Sequence, residues 1–134
     1  MLTEDQVTNY VARHLQSQNF EIIKKLTSKE KGIDLIATSP DGKDYYIEVK
    51  GETSNVLTSK RYGLPFNKNQ IWAHVSVAVM KTLTDINCSG KAGVFGMAFP
   101  KNHEDVIRWI KPSLDKLEIV VYLVSEDGGV ILMK

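Results

Sequence analysis

The chain has 134 residues, 43% of them apolar, and a formal net charge of +1. That length and apolar share predict one compact domain over residues 1–134, and the near-zero charge excludes a broadly basic surface but not a local one. A single cysteine, Cys88, excludes an internal disulfide and a cysteine metal cluster; with no signal-peptide pattern and no apolar run of membrane-spanning length, the expected setting is cytoplasmic and away from membranes.

In chain order, Thr3-Glu4-Asp5-Gln6 reads as a capping box, with Thr3 as N-cap and Gln6 reaching back. Val7, Tyr10, Val11 and Leu15 follow at helical spacing, and Asn19 is a left-handed stop, so the first element is an amphipathic helix over about residues 4–18. Residues 20–26 read as a strand, 27–31 as a polar turn, 32–52 as a hairpin and 53–66 as a long connection with no clear period. Asn67 caps a second helix with Gln70 at its N3 position, and Ile71, Val75, Ala78, Val79 and Leu83 form its apolar face. Residues 92–99 are an apolar run that reads as a buried strand. Asn102 caps a short helix holding Val106, Ile107 and Ile110, and Pro112 ends it. Residues 117–125 and 130–133 make a last hairpin around Glu126-Asp127-Gly128-Gly129. The order α-β-β-β-α-β-α-β-β predicts an α/β fold: a central mixed β-sheet flanked by helices.

The first hairpin carries the chemistry. Ser39-Pro40-Asp41-Gly42-Lys43 places Pro where a type I turn fixes φ and Gly where a left-handed residue falls, which predicts a three-residue loop of Pro40, Asp41 and Gly42. In that register Ser39 faces Lys43 and Asp34 faces Glu48. Lys50, two residues beyond Glu48, joins them on the same face. Leu35, Ile47 and Val49 take the alternate, apolar face with Ile33. A two-residue loop would shift the register by one and separate the two acids. Paired acids and a lysine at the end of a hairpin are what a divalent metal and an attacking water require. The plainer account is a solvent-facing strand pair in which Lys50 neutralises one acid.

With this order and these residues, the chain resembles the PD-(D/E)xK nuclease superfamily, which includes type II restriction endonucleases and archaeal-type Holliday-junction resolvases. The matching motif is Ile33-Asp34, then Glu48-Val49-Lys50, with Ile33 standing for the signature proline. The resemblance implies a restriction endonuclease-like α-β-β-β-α-β core over about residues 4–99, with a C-terminal helix and hairpin added. It implies that Asp34 and Glu48 hold Mg²⁺ (or Mn²⁺), that Val49 lends its backbone carbonyl, and that Lys50 orients the water. It also gives Gln70 a place early in the second core helix, where many members carry a glutamine or lysine; as the capping partner of Asn67, Gln70 needs no further role. Several families add a glutamate from the first helix, but Thr8 and Asn9 stand at the expected place here. Glu4 and Asp5 lie about a turn earlier; either could approach the site, and the plainer account is a pair of first-turn acids favoured by the helix dipole. His74 reads as a structural helix histidine.

Residues 53–84 contain Lys60, Arg61, Lys68 and Lys81 and no Asp or Glu. With Tyr62 beside them, Lys60, Arg61 and Lys68 suit phosphate contact and base stacking, or simply a solvated loop balanced by acids elsewhere. The expectation is a Mg²⁺-dependent nuclease acting on DNA; the alternative is a catalytically inactive nuclease-fold protein that binds nucleic acid or a protein partner. A homodimer is expected by analogy with small nucleases that cut two strands.

Overall fold

The computed structural model describes residues 1–27, 29–52 and 67–134. Helix α1 (Glu4–Ser17) starts at the expected capping box: the Thr3 hydroxyl accepts from the Gln6 N–H at 3.2 Å, and Gln6 Oε1 accepts from the Thr3 N–H at 2.9 Å. Asn19 stops it with a left-handed φ of 68°. Strands β1 (Glu21–Lys25), β2 (Leu35–Thr38) and β3 (Asp44–Val49) follow as an antiparallel meander. Between β2 and β3 the Ser39 N–H donates to the Lys43 carbonyl at 2.8 Å, and the Gly42 N–H donates to the Ser39 carbonyl at 2.9 Å. Gly42 takes φ 87°, the conformation a side chain resists. The loop is therefore the three-residue one, and Leu35 pairs with Ile47. One step further out, Asp34 stands opposite Glu48.

Helix α2 (Lys68–Cys88) opens on a second capping box, Asn67 with Gln70. It leads to β4 (Val94–Pro100), which lies parallel to β3. A single 3₁₀ turn (Lys101–His103), α3 (Glu104–Arg108) and α4 (Lys111–Lys116) cross back to β5 (Val120–Val124), parallel to β4. Strand β6 (Val130–Leu132) closes the order as an antiparallel edge. The result is a six-stranded mixed sheet, β1-β2-β3-β4-β5-β6, flanked by helices. Among the described residues no helix is long and apolar enough to cross a membrane.

The strands alternate between two cores, as period-2 side chains must. Leu35, Ile47, Val49, Ala98, Tyr122 and Val124 pack with Val7, Val11 and Leu15 of α1. Met97, Phe99, Val121 and Leu123 face the other way, against Ile71, Val75 and Ala78 of α2 and Ile107 of α3. Glu48 pairs with Met97 across β3 and β4, so it belongs to the α2 side of the sheet.

Two local expectations are corrected. Asn102 does not cap a helix by its side chain. Its amide donates to Glu52 Oε2, and its Oδ1 meets His103 Nδ1 at 2.7 Å, which places the imidazole proton on Nδ1. Pro112 does not end a helix; it lies in the first turn of α4, where its missing N–H is no loss. The predicted single short helix is thus two.

The chain after β3 is stitched to the start of α1. The Glu52 N–H donates to the Leu2 carbonyl at 2.8 Å, and the Leu2 N–H donates to Glu52 Oε1 at 2.8 Å. Gly51 lies so close to this corner that a Cβ there would stand 2.4 Å from the Glu4 nitrogen. Gly51→Ala must displace the first turn of α1. It is expected to lower stability by about 1–3 kcal/mol, measured by urea unfolding; an unchanged midpoint would contradict this packing.

Candidate functional site

The hairpin register brings Asp34 and Glu48 together at the end of β3. Asp34 is 9% exposed and Glu48 5%, values rare for acids unless they are paired. The Val49 N–H donates to Asp34 Oδ2 at 2.8 Å. The Val49 side chain is fully buried in the α1 core, so only its backbone is offered to the site. Lys50 Nζ lies 3.6 Å from Glu48 Oε1. From α2, Lys81 Nζ lies 3.4 Å from the same oxygen.

Both acids hold their protons more tightly than usual. Burial raises the Asp34 pKa first; the Val49 N–H, Lys50, Lys81 and a hydrogen bond with Glu48 oppose it. Burial also raises Glu48, and the neighbouring Asp34 charge adds to it; Lys81 and Lys50 pull the other way, and the balance stands at about 7. Two carboxyls this close resist joint ionisation without a compensating cation.

These residues line one cavity of about 690 Å³. Its wall carries five carboxylates, Glu4, Glu30, Asp34, Glu48 and Asp85, against three lysines, Lys31, Lys50 and Lys81. Glu4 is the notable member. As the first residue of α1 it benefits from the helix dipole, yet it also faces the acid pair: burial and then the Asp34 charge raise its pKa, against Lys50 and Lys81. Helix α1 thus brings an acid to the cavity one turn before Thr8 and Asn9. Thr8 is buried, with its hydroxyl turned back to the Glu4 carbonyl at 2.9 Å, and Asn9 is exposed.

Other expected site residues lie elsewhere. Gln70 is not among the described residues lining the cavity; its Oε1 accepts from the Asn67 N–H at 2.8 Å. About 16 Å of helix rise separates it from Lys81, which takes the position over Glu48. Lys68 is exposed and lines a different cleft, beside Trp72. Lys60, Arg61 and Tyr62 lie outside the described residues. His74 reaches the Gly51 backbone, and burial, then the Lys50 charge, lowers its pKa. Lys81 escapes sequence reasoning as a site residue, and Glu4 is legible there only as one of two acids that could approach, because local pattern does not record which elements meet. The one available signal is Gly51 directly after Lys50, a residue that admits close backbone approach.

The donor set suits a hard cation that keeps most of its waters, such as Mg²⁺, which one or two carboxylates and a phosphate commonly hold. Among the described residues no group of three or more His, Cys, Asp or Glu side chains is arranged to hold a metal ion, so the two acids would need the Val49 carbonyl, water or phosphate to complete a site. No family model matches the chain, and no curated protein or solved structure matches it at a significant level.

The raised acids set a sign for pH dependence. The Glu48 contribution to stability is full below the ordinary Glu value of 4.5 and is lost as pH rises through about 7, and Asp34 acts in the same direction. Glu48→Gln is expected to gain stability over wild type across that window, by up to about 3 kcal/mol at pH 8, in metal-free melts. A difference that stays constant from pH 4 to 8 would contradict the burial of this acid.

Proposed function

We propose that the chain is a metal-dependent deoxyribonuclease of the PD-(D/E)xK type. The observation that carries this reading is the buried Asp34–Glu48 pair, opposed across an antiparallel hairpin, with Lys50 beside it. The order α1-β1-β2-β3-α2-β4, with β3 and β4 parallel, supports a restriction endonuclease-like core. The excess of carboxylates in the cavity supports a cation, because phosphate would otherwise be repelled.

In this reading Asp34 and Glu48 would hold Mg²⁺ or Mn²⁺, with the Val49 carbonyl as a third protein donor; when bound, the ion would lower the pKa of a water and neutralise charge on the phosphate. The Val49 N–H fixes the Asp34 carboxylate. Lys50 would orient the attacking water by donating a hydrogen bond to its oxygen, and the proton which that water loses would pass to solvent from the metal-acidified water. Lys81, 3.4 Å from Glu48 Oε1, would take a phosphate oxygen from the α2 side if Glu48 held the metal. Glu4 adds negative field to the cation site without being one of its two principal donors.

The second reading, a nuclease-fold protein that binds without cutting, is favoured by one observation. Lys50 and Lys81 both approach Glu48 Oε1, and two ammonium groups compensate the acid pair without a metal.

Cleavage separates the two. Wild type is expected to cut plasmid, single-stranded or branched DNA in Mg²⁺ or Mn²⁺ and not in EDTA. Glu48→Ala abolishes this, Lys50→Ala lowers kcat by about 10²–10³-fold, and Gln70→Ala leaves it within about threefold, as a helix-capping change does. No metal-dependent cutting of any of these substrates would move the assignment to the binding reading.

A further inference from the structure

The chain has two tryptophans, and both are left in water at one place. Trp72 of α2 is 54% exposed, and Trp109, just after α3, is 69% exposed. Their ring centroids lie 5.8 Å apart with the planes at 51°, an open wedge rather than a closed stack. They border a cleft of about 720 Å³ whose other walls carry Lys68, Asn69, Asn102 and Asp105. We propose that this wedge stacks unpaired DNA bases next to the acid cavity, so that the preferred substrate carries a single-stranded segment; the inference rests on the nuclease reading for its substrate class.

Four observations favour bases over a protein partner. The rings offer flat faces to solvent, and stacking on such faces is tolerant of sequence. The cleft rim holds carboxamides and a carboxylate, which match the donors and acceptors of base edges. The area is small: at about 250 Å² for a whole tryptophan, the two rings leave about 300 Å² in water. Each side of a stable protein interface contributes about 800 Å². Charge has the right sign on α2, where Lys68 and Lys81 outnumber the one carboxylate, Asp85. Arg108 at the same cleft is neutralised by Glu104, and Asp105 offsets Lys68, so recognition at the wedge itself is by stacking more than by phosphate contact.

The wedge also connects to the acid site. An apolar groove of about 240 Å³ runs along α2 from Trp72 to Met80. Met80 lines the acid cavity as well. The rise between the two residues is about 12 Å, a span of two or three nucleotides.

Because both tryptophans belong to this wedge, tryptophan fluorescence excited beyond the tyrosine absorption band reports on it alone. Wild type would be titrated in EDTA, where no cutting occurs, with a twelve-nucleotide oligo(dT) and with a blunt duplex of equal length. The expected result is saturable quenching by oligo(dT) and little by the duplex. Trp72→Ala and Trp109→Ala, each leaving one reporter, should weaken oligo(dT) binding by about 5- to 150-fold, while Trp109→Phe should restore most of it. Equal quenching by both DNAs, or none, overturns the inference even if the protein cuts DNA in Mg²⁺. Quenching by oligo(dT) in a protein that cuts nothing sustains the wedge and sinks the nuclease reading. A spectrum that shifts with protein concentration alone, with twice the chain mass in sedimentation and both effects lost in Trp109→Ala, assigns the wedge to a second copy and overturns the inference.

Discussion

Two like charges held against each other are the constraint on which the rest of this molecule depends. A three-residue loop places Asp34 opposite Glu48, and the sheet buries both. Such a pair is unfavourable by itself, because desolvation and mutual repulsion both favour protonation. Around it the fold assembles groups that relieve the strain: the Val49 N–H, Lys50 just past the end of β3 and Lys81 from α2. A divalent cation would relieve it more fully than ammonium groups that stand 3.4 and 3.6 Å away. An arrangement that is costly for stability and suited to a metal is characteristic of a site kept for function.

The surrounding architecture presents that pair to solvent from one side. One face of the hairpin is locked into the α1 core through Leu35, Ile47 and Val49. The other meets α2 near Lys81. The contact between Gly51 and the first turn of α1 brings Glu4 to the cavity wall. The Glu52–Asn102 hydrogen bond ties the same corner to the turn after β4. The acid site is therefore built where three separate segments meet, although its central pair comes from one hairpin.

What could be read in the sequence was local. Pro40 and Gly42 determine the loop, the loop determines the register, and the register determines the acid pair; each step involves neighbours in the chain. The same holds for the capping boxes at Thr3 and Asn67 and for the stop at Asn19. The misplacements involve distant partners or residues with two uses. Asn102 suits a helix cap, but its amide goes to Glu52, fifty positions away. Pro112 serves as well in a first turn as at a stop. Lys81 and Glu4 join the site through the placement of α2 and α1 against the sheet, which no spacing rule encodes. The exposed Trp72–Trp109 wedge has no sequence signal, since tryptophans at helical spacing are as easily core residues.

The central claim is that Asp34 and Glu48 hold a divalent cation, and a crystal grown with Mn²⁺ tests it most directly through the anomalous signal of the metal. The account predicts one strong peak between the two carboxylates, within about 2.3 Å of an oxygen from each, with Lys50 and Lys81 drawn off Glu48. No peak at this place at saturating Mn²⁺, with both lysines still on Glu48, would contradict it and leave a compensated acid pair with a structural or binding role.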